Sequence, residues 1–213
     1  MKRLRKIKNS RKNRLLIVGS LLFIIGISIV SFNFITKFNI QNEEKKAIEE
    51  FYIQEEKVEN NETTIESEDK TQDKTDYIGI LKIPKINLIR GLVSPDSKYN
   101  NVDYNIQIID GSDMPNVTNG CFILAAHSGN ASISYFKNLN KLSVGDNVSL
   151  DYANNTYNYK IVNIYEVEKT GKVKIEREYD KTTLVLITCK HNTNKQIVLV
   201  ANLMEESEWK IHY

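Results

Sequence analysis

The sequence predicts a mainly β domain preceded by one membrane-spanning helix. Three observations carry that prediction. From Tyr77 onward, short runs of β-branched and aromatic residues alternate with turn-forming clusters, the pattern of a many-stranded barrel or sandwich. Residues 15–35, LLIVGSLLFIIGISIVSFNFI, hold no charge, and about 20 apolar residues cross a bilayer as a helix. Between the two lies a polar stretch with too few apolar residues to build a core.

The basic tail, residues 1–14, holds eight Lys/Arg and no acid. The positive-inside rule keeps such a tail cytoplasmic and sends residue 37 onward outside the cell. A secretory signal has a shorter apolar core and a small-residue cleavage site, whereas this run ends in bulky FNFITKF. Residues 15–36 are therefore expected to be an uncleaved anchor in the cell membrane. Nucleic acid is not an expected partner, because the basic tail leads into an apolar run rather than a folded basic face.

Residues 37–76 carry 13 acids against six bases and read as a charged linker. Within it, EEKKAIEEFYIQEEKVEN is expected to be helical in part, with Ile48, Phe51, Tyr52 and Val58 as a thin apolar stripe. Residues 60–76 are expected to be solvated.

The domain spans 77–213. Strands are expected near 78–83, 86–92, 105–109, 120–126, 147–150, 157–167, 183–189 and 196–203. Turns are expected at SPDSKYNN, DGSDMPN, HSGNAS, SVGDN, YANN and KHNTN, with a short helix near 133–140. A domain of about 137 residues buries a sizeable core without disulfides or metals.

The chemistry-bearing residues are few: His127, His191 and His212, with Cys121 and Cys189. Zinc ligands in close sequence pairs are absent, as are a phosphate-binding glycine loop and a G-x-S-x-G elbow. Cysteine–histidine nucleophilic catalysis remains, with the two groups drawn from distant parts of the chain. GCFILAAHSG is an apolar run ending at His127, and TLVLITCKHN is a second one ending at Cys189. Neighbouring strands that stop at one barrel edge bring these side chains together. A structural histidine and a Cys121–Cys189 disulfide are the plain alternatives. The disulfide conflicts with that meeting, because Cys121 precedes His127 by six residues, about 20 Å of strand, and a bridge needs Cα atoms within about 7 Å. Cys121 is then a buried, inert thiol, and His191 a solvated loop residue.

Residues 77–203 resemble the sortases, membrane-anchored cysteine transpeptidases of Gram-positive surfaces. The resemblance rests on YIGILKIPKINL, CFILAAHSG and TLVLITC, in that order behind an N-terminal anchor. The helix-and-turn spacing of FKNLNKLSVGDNV adds little. The resemblance implies a closed β-barrel of about eight strands with short helices, Cys189 as nucleophile and His127 as acid–base partner. It puts Thr188 beside substrate and an arginine on the following strand, five residues before a small residue. Taking Ala201 as that residue sets Gln196 at the arginine position, with Lys195 the only cation on the strand. Successive strand residues face opposite sides, so only one of the two faces Cys189.

The implied partners are surface proteins with a C-terminal sorting motif and an amine acceptor, such as a peptidoglycan precursor or a pilin lysine. Two other readings stand beside this one: a catalytically weak sortase-fold protein that binds sorting-motif peptides, and a cysteine peptidase that hydrolyses them. No cofactor or metal is expected, although DYNIQIIDGSD holds acids for part of a calcium site.

Overall fold

Eight strands form one continuous sheet that nearly closes on itself. The computed structural model describes residues 2–59 and 76–204. The strands are β1 (Tyr77–Ile83), β2 (Leu88–Val93), β3 (Gln107–Ile108), β4 (Cys121–Ala125), β5 (Asn147–Tyr152), β6 (Asn155–Glu168), β7 (Thr183–Cys189) and β8 (Lys195–Leu203). They lie in the order β2-β1-β5-β6-β8-β7-β4-β3. Every pairing is antiparallel except that of β4 with β7. Each expected strand has a counterpart, shifted by a residue or two at its ends. The helix expected near 133–140 does not form. That stretch makes turns and then a 3-10 turn at Leu139–Lys141, because the Phe136 amide donates to the His127 carbonyl and holds the chain folded back on itself.

The sheet has two apolar faces. Leu81, Leu124, Phe136, Leu150, Tyr159, Leu184, Leu186 and Leu199 fill the interior. Val185, Ile187, Val198 and Val200 form a second cluster on the outer face, with Cys121, Ile123, Ala125, Tyr165 and Val167 beside them. The segment after β6 covers this outer cluster with Val173 and Ile175. It is pinned there by the Tyr165 hydroxyl, which donates to the Lys174 carbonyl and accepts from the Glu176 amide. Strand β7 is thus buried on both faces, which accounts for its unbroken apolar run.

No ladder joins β2 to β3, and side-chain amides occupy the seam. Asn105 donates to the Gly91 carbonyl at 2.9 Å. Asn100 donates to the Ile108 carbonyl and accepts from the Ile108 amide, at 2.9 and 2.7 Å. Its primary amide thereby replaces a missing peptide neighbour for β3.

Helix α1 runs from Lys2 to Glu59. Among the described residues, no helix is long and apolar enough to cross a membrane. Residue 15 and residues 32–36 of the expected 15–36 span lie outside the described side chains. Residues 60–75 of the expected linker, and the tail from 205, including His212, lie outside the described residues. The chain divides into two compact units, Met1–Glu43 and Glu44–Tyr213.

Within the second unit, residues 44–59 are helical, as expected in part, and pack with the domain. Phe51 is buried, and Glu55 accepts the Asn154 amide at 2.8 Å. The Tyr52 hydroxyl donates to Asp151 at 2.5 Å. Asp151 also receives Lys82 at 2.5 Å and Thr156 at 2.8 Å.

Burial alone would raise the Asp151 carboxyl, but the bonds from Lys82, Tyr52 and Thr156 outweigh it and hold the group below the usual carboxylate range. Its folded pKa therefore lies below the unfolded value of about 3.9. The stabilisation is complete above that value and is lost as pH falls through the depressed folded pKa. Residues 44–59 of the full-length protein in detergent micelles will lose hydrogen-exchange protection below about pH 4. Asp151→Asn will show a smaller change over the same window.

Candidate active site

The site is built by strand register. The parallel β4–β7 pairing matches Cys121 with Thr183 and Ala125 with Ile187. Two residues beyond that last pair, His127 follows the end of β4 and Cys189 ends β7. The antiparallel β7–β8 pairing sets Gln196 directly opposite Cys189, and the β6–β8 pairing sets Val167 opposite Gln196. Directly opposed residues share a face, with Cβ atoms about 4.5–5.5 Å apart. Cys189, Gln196 and Val167 thus form one row across three strands, continuing the face of Ile187 and Val198, and the chain leaving β4 carries His127 at the same end of the sheet. The row lies at the end of the outer apolar cluster, beyond the covering segment.

Two hydroxyls lock the row where the ladder stops. Thr188 donates to the Ala126 carbonyl at 2.8 Å, and Ser128 donates to the Cys189 carbonyl at 2.5 Å. The Thr188 side chain is buried, at 3% exposure, on the interior face beside Ile197. This corrects the expectation that Thr188 contacts substrate: its hydroxyl is spent aligning β7 with the chain that carries His127.

His127 has a partner that the sequence did not suggest. Asp103 Oδ1 lies 3.2 Å from His127 Nε2. Asp103 sits in a turn closed by Asn101, whose side-chain oxygen accepts the Asp103 amide at 2.9 Å. With Nε2 facing this carboxylate, Nδ1 is the nitrogen left for proton exchange with a thiol. The only sequence trace of Asp103 is an acid in a polar turn, which solvation explains equally well.

Lys195 occupies the alternate face from Gln196, and its ammonium lies 3.7 Å from Glu166. Lys190 also pairs with that carboxylate. Lys195, for which the resemblance suggested a substrate-binding role, thus has its ammonium near Glu166. His191 is exposed on the β7–β8 connection.

The two arginines of the domain are engaged elsewhere. Arg177 donates to the carbonyls of Asn119 and Lys181, both at 3.1 Å. Those carbonyls flank the starts of β4 and β7, about 20 Å of strand from Cys189. Arg90 is paired with Glu44.

Both cysteines are free. Burial pushes the Cys121 thiol up, with nearby Arg177 opposing and Asp113 adding to the rise. A raised thiol is a poor nucleophile at neutral pH, so Cys121 is chemically distinct from a catalytic cysteine. Among the described residues, no group of three or more His, Cys, Asp or Glu is arranged to hold a metal ion. Within DYNIQIIDGSD, Asp103 faces His127, and Asp113 accepts the Cys121 amide.

A thiol, an imidazole and a side-chain amide at one end of the sheet supply a nucleophile, a proton carrier and a hydrogen-bond donor for an oxyanion, the set that acyl transfer requires. Comparison with known proteins identifies the family. A search of curated proteins finds no match, but the model of the sortase domain matches residues 81–204. Among solved structures, the fold is similar to the Clostridium perfringens sortase D5 transpeptidase, with a TM-score of 0.57 and 24% identity over 77% of this chain and 99% of that one. It is similar to sortase C1 of Streptococcus agalactiae, with a TM-score of 0.53 and 25% identity over 76% and 90%. Sortase C of Streptococcus pneumoniae, whose structure bears on pilin substrate specificity, gives a TM-score of 0.54 and 19% identity over 61% and 69%. With the family model matching more than half of its length, and an eight-stranded barrel of the same fold, this chain belongs to the sortase family.

Proposed function

We propose that this protein is a membrane-anchored cysteine transpeptidase that cleaves a C-terminal sorting motif and passes the acyl group to an amine. The observation that supports this reading is the register that sets Gln196 opposite Cys189, with β4 parallel to β7 and His127 two residues past the end of β4. The Cys189 thiolate attacks the scissile carbonyl carbon. The bond to nitrogen then breaks as imidazolium His127 gives its proton to the departing amine, leaving a thioester. An incoming amine attacks the thioester and surrenders its proton to His127, and the thiolate departs. The acceptor is a cell-wall precursor amine or a pilin lysine.

Anchoring through residues 15–36, with the domain outside the cell, is supported by the uncharged run and the basic tail before it. Full-length protein in detergent micelles, a pool of C-terminal sorting-motif peptides and a small amine together make the test. Mass spectra will show an amine-linked acyl product. Free acid alone would instead identify a peptidase.

Gln196 favours a second reading, a weakly catalytic sortase-fold protein that chiefly binds sorting-motif peptides. A neutral amide donates to an oxyanion without supplying charge, and lacks the planar fork of arginine. Removing one oxyanion donor typically costs about 100- to 1,000-fold in rate. Gln196→Ala is expected at the low end of that range or just below it, because the donor lost is neutral. Gln196→Arg is expected to raise kcat. Initial rates of the amine-linked product check both, and a Gln196→Ala rate equal to wild type would favour the binding reading.

A further inference from the structure

Glu44 enters the barrel domain far from His127 and Cys189, yet its contacts lead back to them. Its carboxylate accepts three donors: the Gly91 amide at 3.1 Å, the Tyr77 hydroxyl at 2.9 Å, and the Arg90 guanidinium. The Glu44 and Arg90 side chains are each only 14% exposed, so neither charge is well solvated without the other. Burial raises the Tyr77 phenol, which keeps it a proton donor to Glu44.

From Arg90 two arms run toward the site. On one, Arg90 Nε donates to the Asn105 side-chain oxygen at 2.8 Å, and the Asn105 amide closes on the Asn101 carbonyl at 2.8 Å. That is the turn whose Asn101 side chain holds the amide of Asp103, the residue facing His127. On the other arm, the Arg90 guanidinium stacks 4.2 Å from the centre of the Tyr135 ring. Tyr135 lies next to Phe136, whose amide donates to the His127 carbonyl, and its hydroxyl reaches the Tyr104 carbonyl at 3.3 Å. Both arms end on the two loops that carry Asp103 and His127.

We propose that Glu44 is a positioning residue: by fixing Arg90, the helical segment that begins at Glu44 sets the Asp103 turn and the loop after His127, and so the orientation of the imidazole. The inference rests on the reading of His127 as the acid–base group. The contact of Tyr52 with Asp151 shows no such route among the described residues. Docking of the helix and positioning of the imidazole are therefore separable.

The experiment uses full-length protein in detergent micelles with isotope-labelled histidine. The His127 ring signal is assigned by its loss in His127→Gln. At fixed pH, Glu44→Gln will move that signal toward its place in Asp103→Asn. Transpeptidation will show kcat lowered about three- to tenfold with KM unchanged. Tyr77→Phe, which removes one bond to Glu44 and leaves the ion pair, will give a smaller movement in the same direction and serves if Glu44→Gln does not fold. Tyr52→Phe, a docking contact off the route, will leave the signal at its wild-type place. An unmoved signal in Glu44→Gln, or an equal movement in Tyr52→Phe, overturns the proposal. The ring signal is read without turnover, so a chain that makes no product with any peptide counts against the transpeptidase reading and leaves this test standing.

Discussion

Cys189→Ala is expected to abolish both the thioester and the amine-linked product, a loss of at least about 10⁴-fold in kcat/KM. The size follows from position. The other thiol, Cys121, pairs with Thr183 at the far end of β7 from Cys189 and is raised by burial. Water held by the remaining imidazole and amide is a weak substitute for a covalent nucleophile. Intact-protein mass spectrometry after mixing with sorting-motif peptides checks the first half, and product analysis the second. Persisting product at more than a trace would place the chemistry elsewhere in the chain. Stability should change little, because Cys189 is only partly buried at a strand end.

His127→Asn is expected to lower kcat by about 100- to 10,000-fold, the usual worth of a positioned acid–base group. An amide nitrogen leaves only as a neutral amine, so the variant should stall before the thioester. A phenyl ester of the same peptide departs without needing a proton. The variant should therefore recover much of its acylation rate on the ester while remaining slow on the amide. Comparing single-turnover rates on the two substrates tests this. An equal deficit on both would mean that His127 acts on the thiol or the fold rather than on the leaving group.

The strands were legible because alternating and continuous apolar runs are bounded by turn residues, and the ends of two such runs pointed to His127 and Cys189. Gln196 was singled out only through the family resemblance, by its spacing from Ala201, and the structure sets it opposite Cys189. Other placements were not legible in the sequence. Thr188 follows a run that is apolar on both faces, so alternation gave no sign of which way it points. Lys195 was judged by its charge alone, and its partner Glu166 comes from another strand. The stretch from 44 to 59 was legible as helical but not as part of the domain, because its partners are distant in sequence. Arg90 and Asp151 lie 46 and 99 residues further along the chain from Glu44 and Tyr52. Asp103 escaped for the same reason, since its meaning depends on a histidine 24 residues away.

The amide seam between β2 and β3 has a consequence for how these molecules behave when crowded. An open barrel leaves two strand edges, and a bare edge invites pairing with another chain. Asn100 fills the hydrogen-bonding sites of Ile108, and Asn105 takes up the Gly91 carbonyl, so neither edge offers a free template there. Two asparagine side chains thus act as guards against edge-to-edge aggregation, and an alanine at either place would open a path to misassembly before it disturbed the core.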